Sequence, residues 1–375
     1  MDFLIESISN VAWQNVVMWV IGAVLIFLAI KFDMEPALLL PIGFGAILVN
    51  IPLSNVVSDG ETVGIIDWLF DVGIGVSEAM PILLFIGIGA MIDFGPLLSN
   101  PKLFLLGGAA QFGIFLTLLL ATLFGFDLID AASIAIIGAA DGPTSIVVAQ
   151  ALGSRYLGAI TIVAYSYMAL VPIIQPAVVK VMTTKKERLI RMDYSPTQVS
   201  RTTKILFPIV VTLVAGLIAP KSLALVGFLM FGNLLRECGV LRLLSETAQN
   251  ILANLITLLL GITIASQMRG EDFLTVETLL ILALGLLAFV FDTAAGVGFA
   301  KVMNLFSKKK INPMIGAAGI SAFPMSARVI QKMGLKEDPS NHLLMHAIGA
   351  NVSGQIASAI VGGLIISLVL PLVAA

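Results

Sequence analysis

Long unbroken runs of apolar residues constrain this chain more than any other feature. Positions 16–30, 103–125, 205–217, 251–265 and 279–291 each reach, or nearly reach, bilayer length. A helix needs about 20 mostly apolar residues to cross the hydrocarbon core. Inside lipid the backbone finds no water, so only helices and closed barrels are tenable. The runs are continuous rather than alternating, which selects helices. With 58% hydrophobic and 12% charged residues, the 375-residue chain also lacks the charge that covers a soluble domain of this size. The expected fold is an all-α polytopic membrane protein, a single integral domain over 1–375, with roughly 10–12 membrane segments.

Spans are expected near 15–30, 37–50, 79–92, 103–124, 157–178, 204–219, 222–235, 250–268, 275–297 and 350–373. Two further apolar stretches, 131–150 and 311–330, are interrupted by glycine, proline and polar residues. The stretch 63–78 carries Asp67, Asp71 and Glu78 and reads as an interfacial helix or the start of a tilted span. Basic residues concentrate in the connections 180–204 and 301–310, which the positive-inside rule assigns to the cytoplasm. An even number of spans separates them, as two cytoplasmic connections require. The acidic stretches 59–61 and 127–130 then suit the outer face. On this tally 131–150 leaves the outer face and returns to it, which favours a re-entrant or broken segment. The start, Met1-Asp2-Phe3-Leu4-Ile5-Glu6, has neither a basic n-region nor a small-residue cleavage site, so the first apolar run is expected to be a retained anchor. A net charge of −2 gives no indication of a nucleic-acid partner. Cys238, the one cysteine, reads as a small buried hydrophobe.

Two parts of the chain resemble each other. Gly108-Ala109-Ala110-Gln111-Phe112-Gly113 matches Gly319-Ile320-Ser321-Ala322-Phe323-Pro324, and Ile137-Gly138-Ala139-Ala140 matches Ile348-Gly349-Ala350-Asn351, both at one offset of 211 residues. Asn100-Pro101 and Asn312-Pro313 precede them. The expected organisation is transporter-like. A first repeat covers 100–178 with ion-site segment 131–150, and a second covers 311–373 with ion-site segments 311–330 and 348–356. In secondary transporters, interrupted helices from both repeats meet at the midplane.

The sharpest local signal is Gly138-Ala139-Ala140-Asp141-Gly142-Pro143-Thr144-Ser145. Pro143 lacks a backbone donor and the glycines loosen the helix, so the break frees carbonyl oxygens beside a carboxylate and two hydroxyls. Na⁺, a hard cation, takes such oxygen ligands. An ionisable residue at membrane depth is expensive and points to function. The alternative is a helix kink with Asp141 as a cap. Segment 311–330, with Asn312, Ser321, Arg328 and two prolines, is too polar to face lipid and suits a cavity wall. In Ala350-Asn351-Val352-Ser353-Gly354-Gln355 the polar groups are either interhelical hydrogen bonds or part of the ion site. Tyr165 and Tyr167 lie too near a span centre for an interfacial belt, and a phenol can serve an ion-bound carboxylate or relay a proton. Asp292 reads as a scaffold contact and Gln111 as interhelical. His342 and His346 have the i, i+4 spacing of a helical metal pair but no third ligand nearby.

Several stretches together resemble one family: Leu40-Pro41-Ile42-Gly43-Phe44-Gly45, Asp93-Phe94-Gly95-Pro96-Leu97-Leu98, Gly138 to Thr144, Ala164 to Pro172, Asn312 to Arg328, and Leu344-Met345-His346-Ala347 leading to Asn351. The chain resembles the β subunit of the biotin-dependent, Na⁺-translocating decarboxylases, which act on oxaloacetate, methylmalonyl-CoA, glutaconyl-CoA or malonate. The resemblance implies carboxybiotin decarboxylation at the cytoplasmic side, consumption of a proton and outward Na⁺ transport. It implies partners too: biotin carrier and carboxyltransferase subunits, a small membrane-anchored γ/δ-type subunit and further copies of the chain. The setting would be a bacterial or archaeal inner membrane. Asp141 would bind Na⁺, with Asn312, Ser321 and Asn351 completing the ion sites and Thr144 and Ser353 in support. Tyr167, with Tyr165 beside it, would sit on the ion or proton path. Arg328 would hold carboxybiotin, and Gly316 would permit close backbone approach. The connection between Asn50 and Ile82 is shorter than in oxaloacetate-type members, which leans towards a CoA-ester decarboxylase. The reading from another class is a stand-alone Na⁺-coupled transporter of a small carboxylate. On either reading Asp141→Asn abolishes Na⁺-dependent turnover in a protein that still folds. Full activity in that variant removes Asp141 from the mechanism.

Overall fold

The computed structural model describes residues 9–374, apart from 35, 61, 77 and 193–198. The start at 1–6 and the acidic Glu61 lie outside the described residues. Described structure is helical, without strands. Seven helices are long and apolar enough to cross a membrane: Trp13–Phe32, Leu103–Leu123, Leu157–Met182, Arg201–Ile218, Arg242–Gln267, Val276–Phe306 and Leu344–Val373. Three shorter apolar helices, Pro36–Val49, Ala79–Met91 and Leu223–Glu237, fall at expected spans.

Ion pairs divide the bundle into two ends. At one end Lys204 reaches Asp93 at 3.2 Å and Glu237 at 3.8 Å. There too Arg188 meets Glu337 at 2.7 Å and Lys301 meets Glu187 at 3.0 Å. The Arg201 guanidinium donates to the Cys238 carbonyl, so Arg201–Ile218 and Leu223–Glu237 form an antiparallel pair. At the other end Arg155 holds Asp127 and Asp130, and Arg269 holds Asp67 at 2.5 Å. Of the 21 Lys and Arg residues, all but Arg155, Lys221 and Arg269 belong to the first end or to segments entering from it. That asymmetry makes the first end the cytoplasmic one. The helix Ile65–Phe70 and its continuation Asp71–Gly75 stay at the outer end, where Asp67 is paired and the Gly75 carbonyl accepts from Gln150 Nε2 at 2.5 Å. The stretch is bent by 65° from Ala79–Met91, with which it is together long and apolar enough to cross a membrane as a broken span, so neither expectation is singled out.

The two interrupted segments both turn back. The first runs through Leu128–Ala139, breaks, and resumes as Gly142–Leu152. A straight helix would separate Asp130 from Ser154 by about 36 Å. Instead Ser154 Oγ donates to Asp130 Oδ1 at 2.7 Å, and Arg155 Nε to Oδ2 at 2.7 Å. The segment is a hairpin entering from the outer end, as the charge tally expects. The second runs from Asn312 through the turn Met314–Ala317 to Met325–Glu337. Its ends also meet: Asn312 Nδ2 and Asn341 Nδ2 both donate to the Arg188 carbonyl at 2.9 Å, and Glu337 pairs with the Arg188 side chain. The helix Leu157–Met182 starts at the base of the first hairpin and ends at that of the second, about 39 Å away. The hairpins therefore enter from opposite faces.

Single cysteines at Asp127 and Arg155, in a Cys238→Ser background, are both expected to react with an impermeant thiol reagent added outside. Cysteines at Lys309 and Ser340 are expected to react only from the cytoplasmic side. Opposite accessibility of positions 127 and 155 would turn the first hairpin into a crossing. The Asp93 pair carries a pH signature. Partial burial pulls the Asp93 carboxyl up, but the Gly95 N–H and Lys204 together hold it below the usual carboxylate value. Its stabilisation is complete above the ordinary carboxylate pKa, near pH 4, and is lost as pH falls through the depressed value. In thermal unfolding the gap between native protein and Asp93→Asn therefore closes on acidification.

Candidate functional site

The first hairpin's tip is set by its sequence. Ala140 adopts a left-handed φ of 52°, which ends the inward arm after the turn Ile136–Ala139. Asp141 then caps the outward arm, its Oδ1 accepting from the Thr144 N–H at 3.2 Å, while Pro143 occupies the first turn, where no backbone donor is needed. Thus Asp141 does cap a helix, but that bond uses one carboxylate oxygen only. The other, Oδ2, accepts from Gln355 Nε2 at 2.9 Å and Ser358 Oγ at 2.8 Å. Both donors come from the helix Leu344–Ala374. Asp141 is 2% exposed, so these bonds are made where no bulk water competes.

The second hairpin's tip, 318–324, is not helical and meets the first directly: the Ser321 N–H donates to the Ala139 carbonyl at 2.9 Å. Buried amides hold its freed carbonyls. Asn351 Nδ2 donates to Ile320 O at 2.6 Å, Gln175 Nε2 to Ala317 O at 2.8 Å and Gln111 Nε2 to Gly319 O at 3.4 Å. Ser321 Oγ donates to Gly354 O at 3.0 Å. The donors are spent on the backbone, and the oxygens Asn351 Oδ1, Thr144 Oγ1 and Tyr165 Oη are buried without partners. Tyr165 lies over Gly142, where an added Cβ would come within 2.7 Å of the ring. Asp141, Tyr165, Ser321, Pro324 and Gln355 line a cavity of about 210 Å³. One carboxylate among neutral oxygens in a buried site suits a monovalent hard cation.

Other expected residues sit elsewhere. Tyr167 is two residues from Tyr165, hence on another helix face, and donates to the Leu282 carbonyl at 2.5 Å. Asn312 is at the cytoplasmic base of the second hairpin, where Nδ2 serves Arg188 O and Ile190 O and Oδ1 accepts from the Met314 N–H. Its amide is consumed by the fold and does not reach Asp141. Ser353 Oγ bonds Leu103 O and Ala350 O, an interhelical role. Gly316 packs on Gly296 with no room for a Cβ, the close approach expected of it. Of the donors to Asp141, Gln355 lay in the segment 348–356 expected at the ion site but without a role of its own, and Ser358 lay outside it. Their signal was the spacing 351, 355, 358, one helix face through an apolar block.

Arg328 opens onto a second cavity of about 430 Å³ at the cytoplasmic end. Lys180, Lys332 and Lys336 join it there, with Asp33 the single acid among the described residues and Pro172, Pro176 and Met325 among the apolar walls. The two cavities are lined by successive stretches of the same two elements. The second hairpin gives Ser321, Phe323 and Pro324 to one and Met325 and Arg328 to the other, while Leu157–Met182 gives Tyr165 and Met168 to one and Pro172 and Pro176 to the other.

A family model described as the Na⁺-transporting oxaloacetate decarboxylase beta subunit matches residues 14–369. The chain is 47% identical to a methylmalonyl-CoA decarboxylase subunit beta from Propionigenium modestum, over 94% of each chain. It is 48% identical to a glutaconyl-CoA decarboxylase subunit beta from Acidaminococcus fermentans, over 95% of this chain and 94% of that one. It is 44% identical to an oxaloacetate decarboxylase beta chain from Haemophilus ducreyi, over 96% of both.

A hydrogen bond to a charged group contributes about 1.5–3 kcal/mol. Ser358→Ala and Gln355→Leu are therefore expected to weaken Na⁺ binding by roughly 10- to 100-fold, read by ²²Na⁺ binding. Tyr167→Phe lowers stability by about 1 kcal/mol and leaves Na⁺ affinity unchanged. A large affinity loss in Tyr167→Phe alone would reverse the two roles.

Proposed function

The chain belongs to the family of β subunits of Na⁺-transporting decarboxylases, and on that footing we propose that it couples decarboxylation of carboxybiotin to outward movement of Na⁺. The observation that carries this reading is that the same two elements, the second hairpin and Leu157–Met182, line both a basic cavity and a carboxylate-centred cavity. Na⁺ is the cargo. Asp141 supplies the charge that holds it, with Thr144, Tyr165, Ser321 and Asn351 offering neutral oxygens. Gln355 and Ser358 position the carboxylate. Tyr167 and Asn312 support the hairpins from behind and below rather than bind the ion. The repeats 100–178 and 311–373 each contribute one hairpin tip, a reading supported by the entry of the hairpins from opposite faces.

Biotin, carried by a partner subunit, supplies when carboxylated an anionic carboxyl group that leaves as CO₂ with uptake of one proton. The cavity at Arg328 fits that group: three lysines and a guanidinium face a volume of about 430 Å³ with apolar walls for the ring system. Arg328 holds the carboxyl through its planar fork. Lys180, Lys332 and Lys336 attract the anion and are spaced to do so, the latter two following Arg328 at successive helical turns. Movement of the second hairpin on binding or release at Arg328 shifts Ser321, and with it the contact on the first tip.

Further partners are a carboxyltransferase and a small membrane-anchored subunit, with the bacterial or archaeal inner membrane as the setting and further copies of the chain in the assembly. The two acyl-CoA relatives align over 379 and 357 positions, the oxaloacetate one over 419. That length difference and the short connection after Asn50 favour an acyl-CoA as the carboxyl source.

The test is CO₂ release from a carboxylated biotin-carrier protein by this chain in liposomes, with and without Na⁺. Na⁺-stimulated release is expected. Arg328→Lys retains charge but loses the fork and is expected to lower kcat/KM about 10- to 100-fold, with Arg328→Gln lower still. A folded, Na⁺-binding protein that releases no CO₂ would instead favour the stand-alone carboxylate transporter.

A further inference from the structure

Asp292 lies in the middle of Val276–Phe306, at 0% exposure, and takes no part in the chemistry so far. Neither carboxyl oxygen has a hydrogen-bond partner. Only the backbone N–H groups of Gly113 and Ile114 face it, outside hydrogen-bonding geometry. Glycines seat it on both sides: a Cβ on Gly113 would lie 2.3 Å from Oδ1, and one on Gly138 would lie 2.8 Å from Oδ2. Gly113 belongs to Leu103–Leu123, and Gly138 to the tip of the first hairpin, three residues before Asp141. No charged side chain faces Asp292 from either element or from its own helix. The nearest titratable groups by position are Asp141, beyond Gly138, and Tyr167, whose ring packs on Gly285 of the same helix. At Gly296 the neighbour is the backbone of Gly316.

A carboxylate in such a place has lost its hydration and gained only two poorly aligned N–H groups in return. With no charged side chain to pair with and glycines packed against both oxygens, a bound proton is the simplest way to neutralise it. We propose that Asp292 is a second cation site of this protein, a proton site, that carries its proton against the rear of the first hairpin's tip. Proton binding and seating of the tip are then linked. With the tip seated, Asp292 is dry and protonated. With the tip displaced, Oδ2 loses its cover and the proton can leave. Na⁺ bridging Asp141 and the second hairpin favours the seated tip, so by reciprocity Na⁺ binding draws a proton onto Asp292. This linkage rests on the Na⁺ reading of Asp141; the protonation itself does not.

Two measurements on the purified complex separate these points. Infrared difference spectroscopy at neutral pH is expected to show the C=O band of a buried protonated carboxyl that survives in Asp141→Asn and disappears in Asp292→Asn. A band that Asp292→Asn leaves unchanged overturns the site. On addition of Na⁺ in weak buffer the native complex is expected to take up more protons than Asp292→Asn, by up to one proton per Na⁺, because seating of the tip draws a proton onto Asp292. Equal uptake overturns the linkage. Loss of Na⁺ binding from both proteins would count against the reading of Asp141, not against the protonated Asp292. If Asp292→Asn fails to assemble, the native complex decides by labelling with a hydrophobic carbodiimide, which attacks only a protonated carboxyl. Labelling of Asp292 that falls as pH rises sustains the site, and labelling of Asp141 without Asp292 overturns it.

Discussion

Breaking a helix at membrane depth exposes carbonyl oxygens that lipid cannot satisfy, and this protein does so twice at one place. Every other feature of the site follows from how those carbonyls are covered. One tip covers the other through the Ser321 N–H on Ala139 O. The remaining carbonyls of the second tip are taken by the amides of Asn351, Gln175 and Gln111. An amide has two ends, so each donor spent on the backbone leaves an acceptor behind. The amide oxygens of all three stand without partners. The repair of the break thus furnishes neutral oxygens at the centre of the bundle. Asp141 adds the one charge, clasped from the side by Gln355 and Ser358.

The same arrangement makes the site movable. Its two halves approach from opposite faces, with ion pairs among the described residues only at their bases, through Arg155 and Arg188, and neutral donors holding the tips. Between the tips lies a single backbone hydrogen bond, while Leu128–Ala135, Gly142–Leu152 and Met325–Glu337 beyond them are regular helices. The second hairpin is also the wall of the basic cavity, so whatever settles on Arg328 presses on the element that carries Ser321. Coupling then needs no long relay, only one rigid hairpin with an anion at its arm and an ion at its tip.

Much of this was legible in the sequence. The long apolar runs marked the spans, and the clustering of lysine and arginine gave the polarity that made 131–150 return to its starting face. Asp141-Gly142-Pro143 announced a helix break because acid, glycine and proline in that order suit a cap and nothing inside a span. Other parts could not be read. Gln355 and Ser358 look like ordinary interhelical polar residues until the first tip is placed beside them. Asn312 and Tyr167 carry the right chemistry, but their neighbours in space, Arg188 and Leu282, are more than 100 residues away and claim their hydrogen bonds. Asp292 sits in a continuous helix with no local break, so only the glycines packed against it show that it is unusual.

The central claim is that Na⁺ is held between the two hairpin tips by Asp141. High-resolution structures of the complex prepared in Na⁺ and in Na⁺-free K⁺ buffer test it most directly. The account predicts density in Na⁺ alone, within bonding distance of the Asp141 carboxylate and of side-chain oxygens from both hairpins or from Asn351. Identical maps around Asp141 in the two buffers, or a Na⁺ bound away from both tips, would contradict it.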